Sequence, residues 1–437
     1  MTATPSPGWT IPVEAFVLDN GLHVVLSPDR SAPTVVVAVY YRVGFRSEPR
    51  GRSGFAHLFE HLMFQGSANL GKMEFIRLVQ ANGGILNGST RHDFTNYFEV
   101  LPAHKLETAL WAEADRMRSL DISEENLANQ RDVVKNEIQV NVHNQPYGGF
   151  PWLDLPQLAF ENWANAHDYY GDFRDLDAAS LEDARTFFRT YYTPNNAALV
   201  VTGDVDPAEA RALIERHFAG IPRGPEPPAV DTSEPPPATE KRASRVDPLA
   251  NRPALAVGWR MPPRGTPAHR AMSLVDRLLL QGDDSRLTRV LVKERGLTGE
   301  VDGGINLLGH AWNYAGPMLW TVSLLHDTDR TADEVLAALD GVIAGFVEQP
   351  VPADELARAR VKLRSALYDV VGGTFGFGRA DLLASFALFD GDPARVNRLE
   401  AELAEVTPAL IQATAREWLR TENRTVLAVE PGLGAAA

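Results

Sequence analysis

Between Ile221 and Pro248 the chain reads IPRGPEPPAVDTSEPPPATEKRASRVDP, and no other stretch limits the fold so firmly. Proline fixes φ and lacks an amide proton, so Pro225 to Pro237 can form neither a helix nor a central strand and reads as an extended linker. It divides the 437 residues into an expected N-terminal domain 1–222, a linker 223–249 and a C-terminal domain 250–437. The length asks for such a division, since one hydrophobic core rarely serves so many residues.

The two halves look like weak repeats. Ala184-Arg185-Thr186-Phe187-Phe188-Arg189-Thr190 leads to an apolar strand at Ala197 to Val201. Ala415-Arg416-Glu417-Trp418-Leu419-Arg420-Thr421 leads to another at Thr425 to Val429, a separation of 231 positions (415 − 184). Each is an amphipathic helix followed by a β-branched strand.

The first half predicts a fold in more detail. Phe16-Val17 and His23 to Leu26 flank the hairpin turn Asp19-Asn20-Gly21, and Thr34 to Arg42 follows as a strand. Helices are expected at Gly54 to Phe64 and Met73 to Asn82, strands at Ile85 to Ser89 and Asn96 to Leu101, and long helices at Ala103 to Ser119 and Ser123 to Asn141. Strands close in sequence favour antiparallel pairing, so the expected class is α+β, two similar domains each with a mostly antiparallel sheet and helices on one face.

The composition narrows the chemistry. There are 42 Lys+Arg against 57 Asp+Glu, a formal net charge of −15, which removes the electrostatic reason to expect nucleic acid. With no cysteine, disulfides, thiolate catalysis and cysteine metal sites are excluded, so any metal must sit on His and carboxylate. No apolar run reaches membrane-helix length and Met1 to Pro12 has no apolar signal core, so a cytoplasmic location without membrane association is the expectation.

Such a His and carboxylate site is present in Gly54 to Phe64, GFAHLFEHLMF. His57 and His61 are four apart and project from one helical face, close enough to clamp one cation through their imidazoles. Glu60 lies between them on a neighbouring face, where a carboxylate can take a proton from an activated water without ligating the metal. This H-x-x-E-H order inverts the common zincin motif. In a chain with 11 His it arises by chance in roughly two of every hundred sequences. A third ligand is needed, and Glu137 in QRDVVKNEIQV, 76 positions after His61, is the best candidate.

HLFEH followed at this distance by R-D-V-V-x-x-E resembles the insulinase/pitrilysin family of zinc peptidases, which includes the mitochondrial processing peptidase. The resemblance covers nearly the whole chain, through LDNGLHVVL (Leu18 to Leu26), Gly54 to Ser67, ANGGILNGSTRHDFTNYFEVLP (Ala81 to Pro102), YYTPNNAALVVTGDVDP (Tyr191 to Pro207) and DDSRLTRVLVKERGL (Asp283 to Leu297). It implies the LuxS/processing-peptidase-like metallohydrolase fold, with zinc on His57, His61 and Glu137 and Glu60 as general base of a metalloendopeptidase. The C-terminal domain would be homologous but lack the zinc motif. Gly84, Ile85, Leu86, Asn87 and Gly88 would form an edge strand that pairs with an extended peptide substrate.

Three positions depart from the family pattern. Many active relatives have a glutamate where this chain has Gln130. They also carry an Arg and a Tyr seven apart in the C-terminal half, where Val292 and Gly299 stand here, and neither side chain can donate to an oxyanion. Neighbouring Lys293 and Arg295 are shifted in register. The expectation is a dimer enclosing a chamber, this chain being the catalytic subunit and a paralogous partner supplying the Arg/Tyr pair. The alternative is a non-catalytic peptide-binding or structural subunit of the same fold. Gly372 to Gly378 lacks the features of a phosphate loop and reads as a helix break, and His92, His143, His167 and His310 have no ligand spacing to the main site.

Overall fold

The computed structural model describes residues 10–432. Its contacts group the chain into two compact units, neither of which is a continuous half. The first takes residues up to Lys135, Tyr169–Val230 and Leu367–Glu400; the second takes Asn136–Asp168, Asp231–Ala366 and the residues from Ala401 on. The expected domains 1–222 and 250–437 thus differ from the units by the exchange of 136–168 and 367–400. The expected linker 223–249 also ends early. Regular structure is absent from 222–240, but Lys241–Asp247 is a strand, because the prolines stop at Pro237 and the alternating Lys241 to Val246 retains its amide donors.

The first unit holds strands β1 (Glu14–Val17), β2 (His23–Pro28), β3 (Thr34–Tyr41), β4 (Ile85–Thr90), β5 (Thr95–Pro102) and β6 (Ala197–Gly203), in the order β1-β2-β6-β3-β5-β4. Only β2 and β6 run parallel. Alternation is absent from β3: Val35 to Tyr41 are all buried, which requires cover on both faces. On one face Tyr41 meets Tyr192, with ring centroids 4.7 Å apart. On the other, Tyr40 donates to Asp381 Oδ1 at 2.8 Å, from a helix, Phe377–Asp390, that arrives late in the chain. Helices therefore pack on both faces of this sheet, one layer more than sequence periodicity indicates.

The second unit holds β7 (Lys241–Asp247), β8 (Ala254–Arg260), β9 (Asp302–Ile305), β10 (Leu319–Leu325) and β11 (Arg424–Pro431), in the order β7-β11-β8-β10-β9. Its one parallel pair is β7 with β11. Apart from β1, the two sheets have the same order and the same parallel pair at the same end.

One side chain fixes the repeat residue by residue. Asn196, just before β6, donates to the carbonyls of Tyr191 (2.9 Å) and Arg42 (3.2 Å). Asn423, just before β11, donates to those of Trp418 (2.6 Å) and Arg260 (3.0 Å). The repeat distance here is 227 residues (423 − 196), and the caps Ser180 and Thr407 of the two preceding helices share it. The sequence match at 231 is one helical turn out of register. A slip of four residues returns nearly the same helix face, so similar residues still align.

Candidate metal centre

Helix α1 (Phe55–Leu62) is set in place before any functional residue is reached. Gly54 opens it at φ +81°, a left-handed conformation that suits glycine, and a Cβ there would lie 2.6 Å from the Tyr170 carbonyl. The first amides of a helix have no intrahelical acceptor. Glu48, only 4% exposed, supplies one to each of two, taking N–H from Gly54 at 2.9 Å and from Ala56 at 2.8 Å. Its negative charge sits at the positive end of the helix. Phe59 on the inner face packs against Phe187 and Tyr192.

On this helix His57 and His61 bring their Nε2 atoms to 3.2 Å, with the rings at 81°. Two nitrogens each about 2.0–2.1 Å from one tetrahedral zinc stand about 3.3 Å apart, so the pair already has the spacing of shared ligation. The Tyr170 ring meets His57 edge-on at 5.0 Å and holds the imidazole in orientation.

Helix α4 (Glu124–Ile138) begins in the first unit, and its unbroken hydrogen bonding carries Glu137 on the last turn; helices α2 (Glu74–Ala81) and α3 (Leu106–Ser119) lie between it and α1 in sequence. Ligand atoms of His57, His61 and Glu137 all lie within 4.8 Å of one another, a spread one ion can bridge by drawing the carboxylate in. Immediately after Glu137 the helix widens into a π turn at Gln139–His143, where Asn141 Nδ2 stands 3.5 Å from Glu137 Oε1. Two neutral imidazoles, one carboxylate and no thiolate form a donor set that suits zinc.

Glu60 is held elsewhere. Its Oε2 accepts the Thr90 hydroxyl proton at 2.8 Å, and Thr90, 4% exposed, sits at the end of β4 beside Thr95. Behind it, the hydroxyls of Tyr97 and Tyr192 lie 3.5 Å apart, and burial, reinforced by neighbouring charge that includes Glu60, keeps both phenols protonated. The two carboxylates are thus held apart: Glu137 faces the histidines and Glu60 is bonded to a threonine.

A cavity of about 370 Å³ opens beside Glu60 and His61, walled by Phe64, Met73, Ile76 and Val133. Gln130 lines it as well, two turns before Glu137 and 5% exposed, its Nε2 donating to Asn129 Oδ1 at 2.8 Å. Phe64 and Phe75 rest on a buried ionic group. Arg116 lies 4.1 Å from the Phe75 ring and 5.6 Å from that of Phe64, donates from Nε to Glu113 at 2.8 Å, and reaches Glu99 at 3.4 Å. All three charged residues are at most 1% exposed. Burial, then the neighbouring Glu113 carboxylate, pushes Glu99 well above the ordinary carboxylate range despite Arg116.

Strand β4, with Ile85, Leu86, Asn87 and Gly88, forms the edge of its sheet, paired on one side to β5. Asn87 is exposed and its Oδ1 accepts the Gly88 amide proton at 3.0 Å. At Gly84 a Cβ would meet the Leu101 side chain at 2.4 Å and the Val100 carbonyl at 2.8 Å, so the close approach that this glycine permits is made by β5. On the second unit, Val292 lies in the π-helical segment Thr288–Glu294, and around Gly299 a Cβ would meet no atom within 4 Å. A larger residue would fit there; the fold does not force glycine.

Sequence reading did not single out Glu48, Thr90, Tyr170 or Arg116. Thr90 and Tyr170 act on partners distant in the chain, whereas Glu48 and Arg116 also bond near neighbours that follow no sequence pattern; only Thr90, on the strand already marked for substrate, carried a local hint.

Two family descriptions match the chain. "Insulinase (Peptidase family M16)" matches residues 23–147 and "Peptidase M16 inactive domain" matches 178–363. The zinc protease PqqE of Helicobacter pylori is 31% identical over 296 residues, spanning 66% of this chain and 65% of that protein's own length. An uncharacterized zinc protease of Mycobacterium tuberculosis is 25% identical over 403 residues, 92% of this chain and 90% of its own. The crystal structure of a protease from Helicobacter pylori superposes with a TM-score of 0.89 at 23% identity, covering 97% of this chain and all (100%) of that one. The chain belongs to the insulinase (M16) peptidase family.

Proposed function

We propose that the chain is a zinc-dependent peptidase subunit that hydrolyses extended peptides, with His57, His61 and Glu137 holding the metal and Glu60 moving the proton. The observation that carries this reading is the separation of roles at the site: two imidazole nitrogens 3.2 Å apart beside Glu137, and a second carboxylate held away from them by Thr90. When bound, zinc supplies Lewis acidity towards the attacking water and the scissile carbonyl.

The chain's own residues account for the rest. Glu60 accepts the proton of the attacking water and returns it to the leaving amine nitrogen, and the Thr90 hydroxyl holds its carboxylate in place for both steps. His57 and His61 must stay neutral to ligate, so activity falls in mild acid. The free edge of β4 can add a peptide as a further strand through main-chain hydrogen bonds, which are largely indifferent to sequence. The apolar walls of the neighbouring cavity favour an apolar side chain close to the cleaved bond.

Val292 and Gly299 offer no side-chain donor, so the active form is a dimer whose paralogous partner contributes an Arg and a Tyr. The test is peptide hydrolysis by the zinc-loaded chain, alone and mixed with such a partner. Activity appearing only in the mixture, and abolished by Glu60→Gln, is the expected result. Full activity of the chain alone would overturn the division of labour; a chain that retains no zinc would overturn the enzyme reading and favour a peptide-binding subunit.

A further inference from the structure

The internal repeat places a second cavity where the metal centre would be copied. The helix of the second unit that corresponds to α1 is α5 (Pro267–Leu279). Thr95 and Trp320 are equivalent, since Tyr41 pairs with Thr95 as Trp259 pairs with Trp320. Thr95 adjoins the Thr90 that holds Glu60; Trp320 itself donates to Asp276 Oδ1 at 2.9 Å. Asp276 is therefore the counterpart of Glu60, and Ser273-Leu274-Val275-Asp276-Arg277 the counterpart of His57-Leu58-Phe59-Glu60-His61.

The helix matching α4 is α6 (Ala353–Gly372), aligned by the buried Leu127 and Leu356 that each sits early in its helix. Asn129, Gln130 and Val133 of the first cavity become Arg358, Ala359 and Lys362, and the ligand Glu137 becomes Ala366. Arg277, Arg358, Ala359 and Lys362 line one cavity of about 650 Å³.

The duplicate has lost its ligands and gained cations. Arg277, Arg286, Arg289, Lys293, Arg358 and Lys362 line it against three carboxylates, Asp283, Asp284 and Glu355, in a chain whose overall charge is −15. Arg286 is matched by Glu355 through two bonds of 2.9 and 2.8 Å, and Lys362 by Asp284. The partners of Arg289 and Arg358 are Glu294 and Asp354, in pairs more than half exposed to water, where such pairing screens little of the charge. Arg277 keeps a buried Nε with no hydrogen-bond acceptor among the described residues. A buried guanidinium N–H without an acceptor is costly, and an anion in the cavity would supply one.

We infer that this second cavity binds a multivalent oxyanion, a phosphate or carboxylate group, at the position that corresponds to His57 and His61 of the first unit. The two units would then use one inherited pocket for opposite charges. The site does not depend on the peptidase reading, and loss of the zinc ligands leaves it intact.

Calorimetric titration of the full chain at low ionic strength, with pyrophosphate and with citrate as separate probes, tests it. Saturable binding of either is expected, pyrophosphate alone marking a phosphate site and citrate alone a carboxylate site. Arg277→Gln and the double variant R358Q/K362Q are expected to weaken it by at least about tenfold, while His57→Ala, which removes zinc, leaves it unchanged. Should the Arg277 variant misfold, R289Q/K293Q changes two exposed lining residues and is expected to weaken binding in the same direction. No saturable uptake of either probe, or equal affinity in all folded variants, overturns the inference.

Discussion

Thr90 Oγ1 donates to Glu60 Oε2 across 2.8 Å and joins the end of the edge strand β4 to helix α1, which carries His57 and His61. The strand proposed to align the peptide thereby also aims the proposed base. Thr90→Val keeps the shape and removes the hydroxyl. A hydrogen bond to a charged group contributes about 1.5–3 kcal/mol, and most of the effect here is orientation, so kcat is expected to fall by about tenfold or more. Zinc content measured by elemental analysis stays at the wild-type level. Wild-type kcat in the zinc-loaded variant would refute the role.

Glu60 and Glu137 can be told apart without reference to any relative. Glu137→Gln removes a charged ligand and is expected to lose zinc on dialysis against a mild chelator. Glu60→Gln retains about one zinc per chain yet loses on the order of 10²–10⁴ in kcat, the usual contribution of a positioned general base. If both variants lose zinc equally, the separation of roles is wrong.

Glu48 makes a prediction about the helix itself. It accepts from Gly54 and Ala56 at a buried helix start, so Glu48→Gln turns one acceptor into an amide that faces another N–H. The cost is about 1–3 kcal/mol. A lower melting temperature is expected, together with weaker zinc retention in competition with a chromogenic chelator, because the two histidines are spaced by the helix that Glu48 anchors. Unchanged zinc affinity would mean α1 holds its register without this carboxylate.

How much of this was legible follows the range of each interaction. His57, Glu60 and His61 share two turns of one helix, so spacing alone displayed them. Strand β3 was legible as a strand from its unbroken apolar run, but helices were expected on one face only, and it is the burial of Val35 to Tyr41 that reveals cover on both. What supplies the second layer, the helix Phe377–Asp390, lies more than 330 residues later in the chain, and no local pattern links Asp381 to Tyr40. The repeat was visible in the helices beginning at Leu181 and Pro408, but helical periodicity hid its register, which became plain only from the carbonyls that Asn196 and Asn423 share. Nothing in the sequence marks Glu48 or Arg116 as buried, because charged residues usually face water.

The buried group of Glu99, Glu113 and Arg116 gives a prediction in which sign matters. Glu99 has a folded-state pKa raised well above its unfolded value, by burial first and then by Glu113. Between those two values the folded chain holds a proton that the unfolded chain has lost, so stability declines as pH rises through that window. Glu99→Gln mimics the protonated acid. It is expected to melt close to the wild type at neutral pH and to lose the part of the pH dependence that lies above the ordinary carboxylate range. Arg116→Met leaves Glu113 with no cation in a dry site beneath Phe64 and Phe75. Removing one partner of a buried pair costs about 3–5 kcal/mol, a fall in melting temperature on the order of 10 °C. Melting curves recorded across pH for both variants check the assignment, and a Glu99→Gln chain as destabilised as Arg116→Met would show that Glu99 is ionised in the fold.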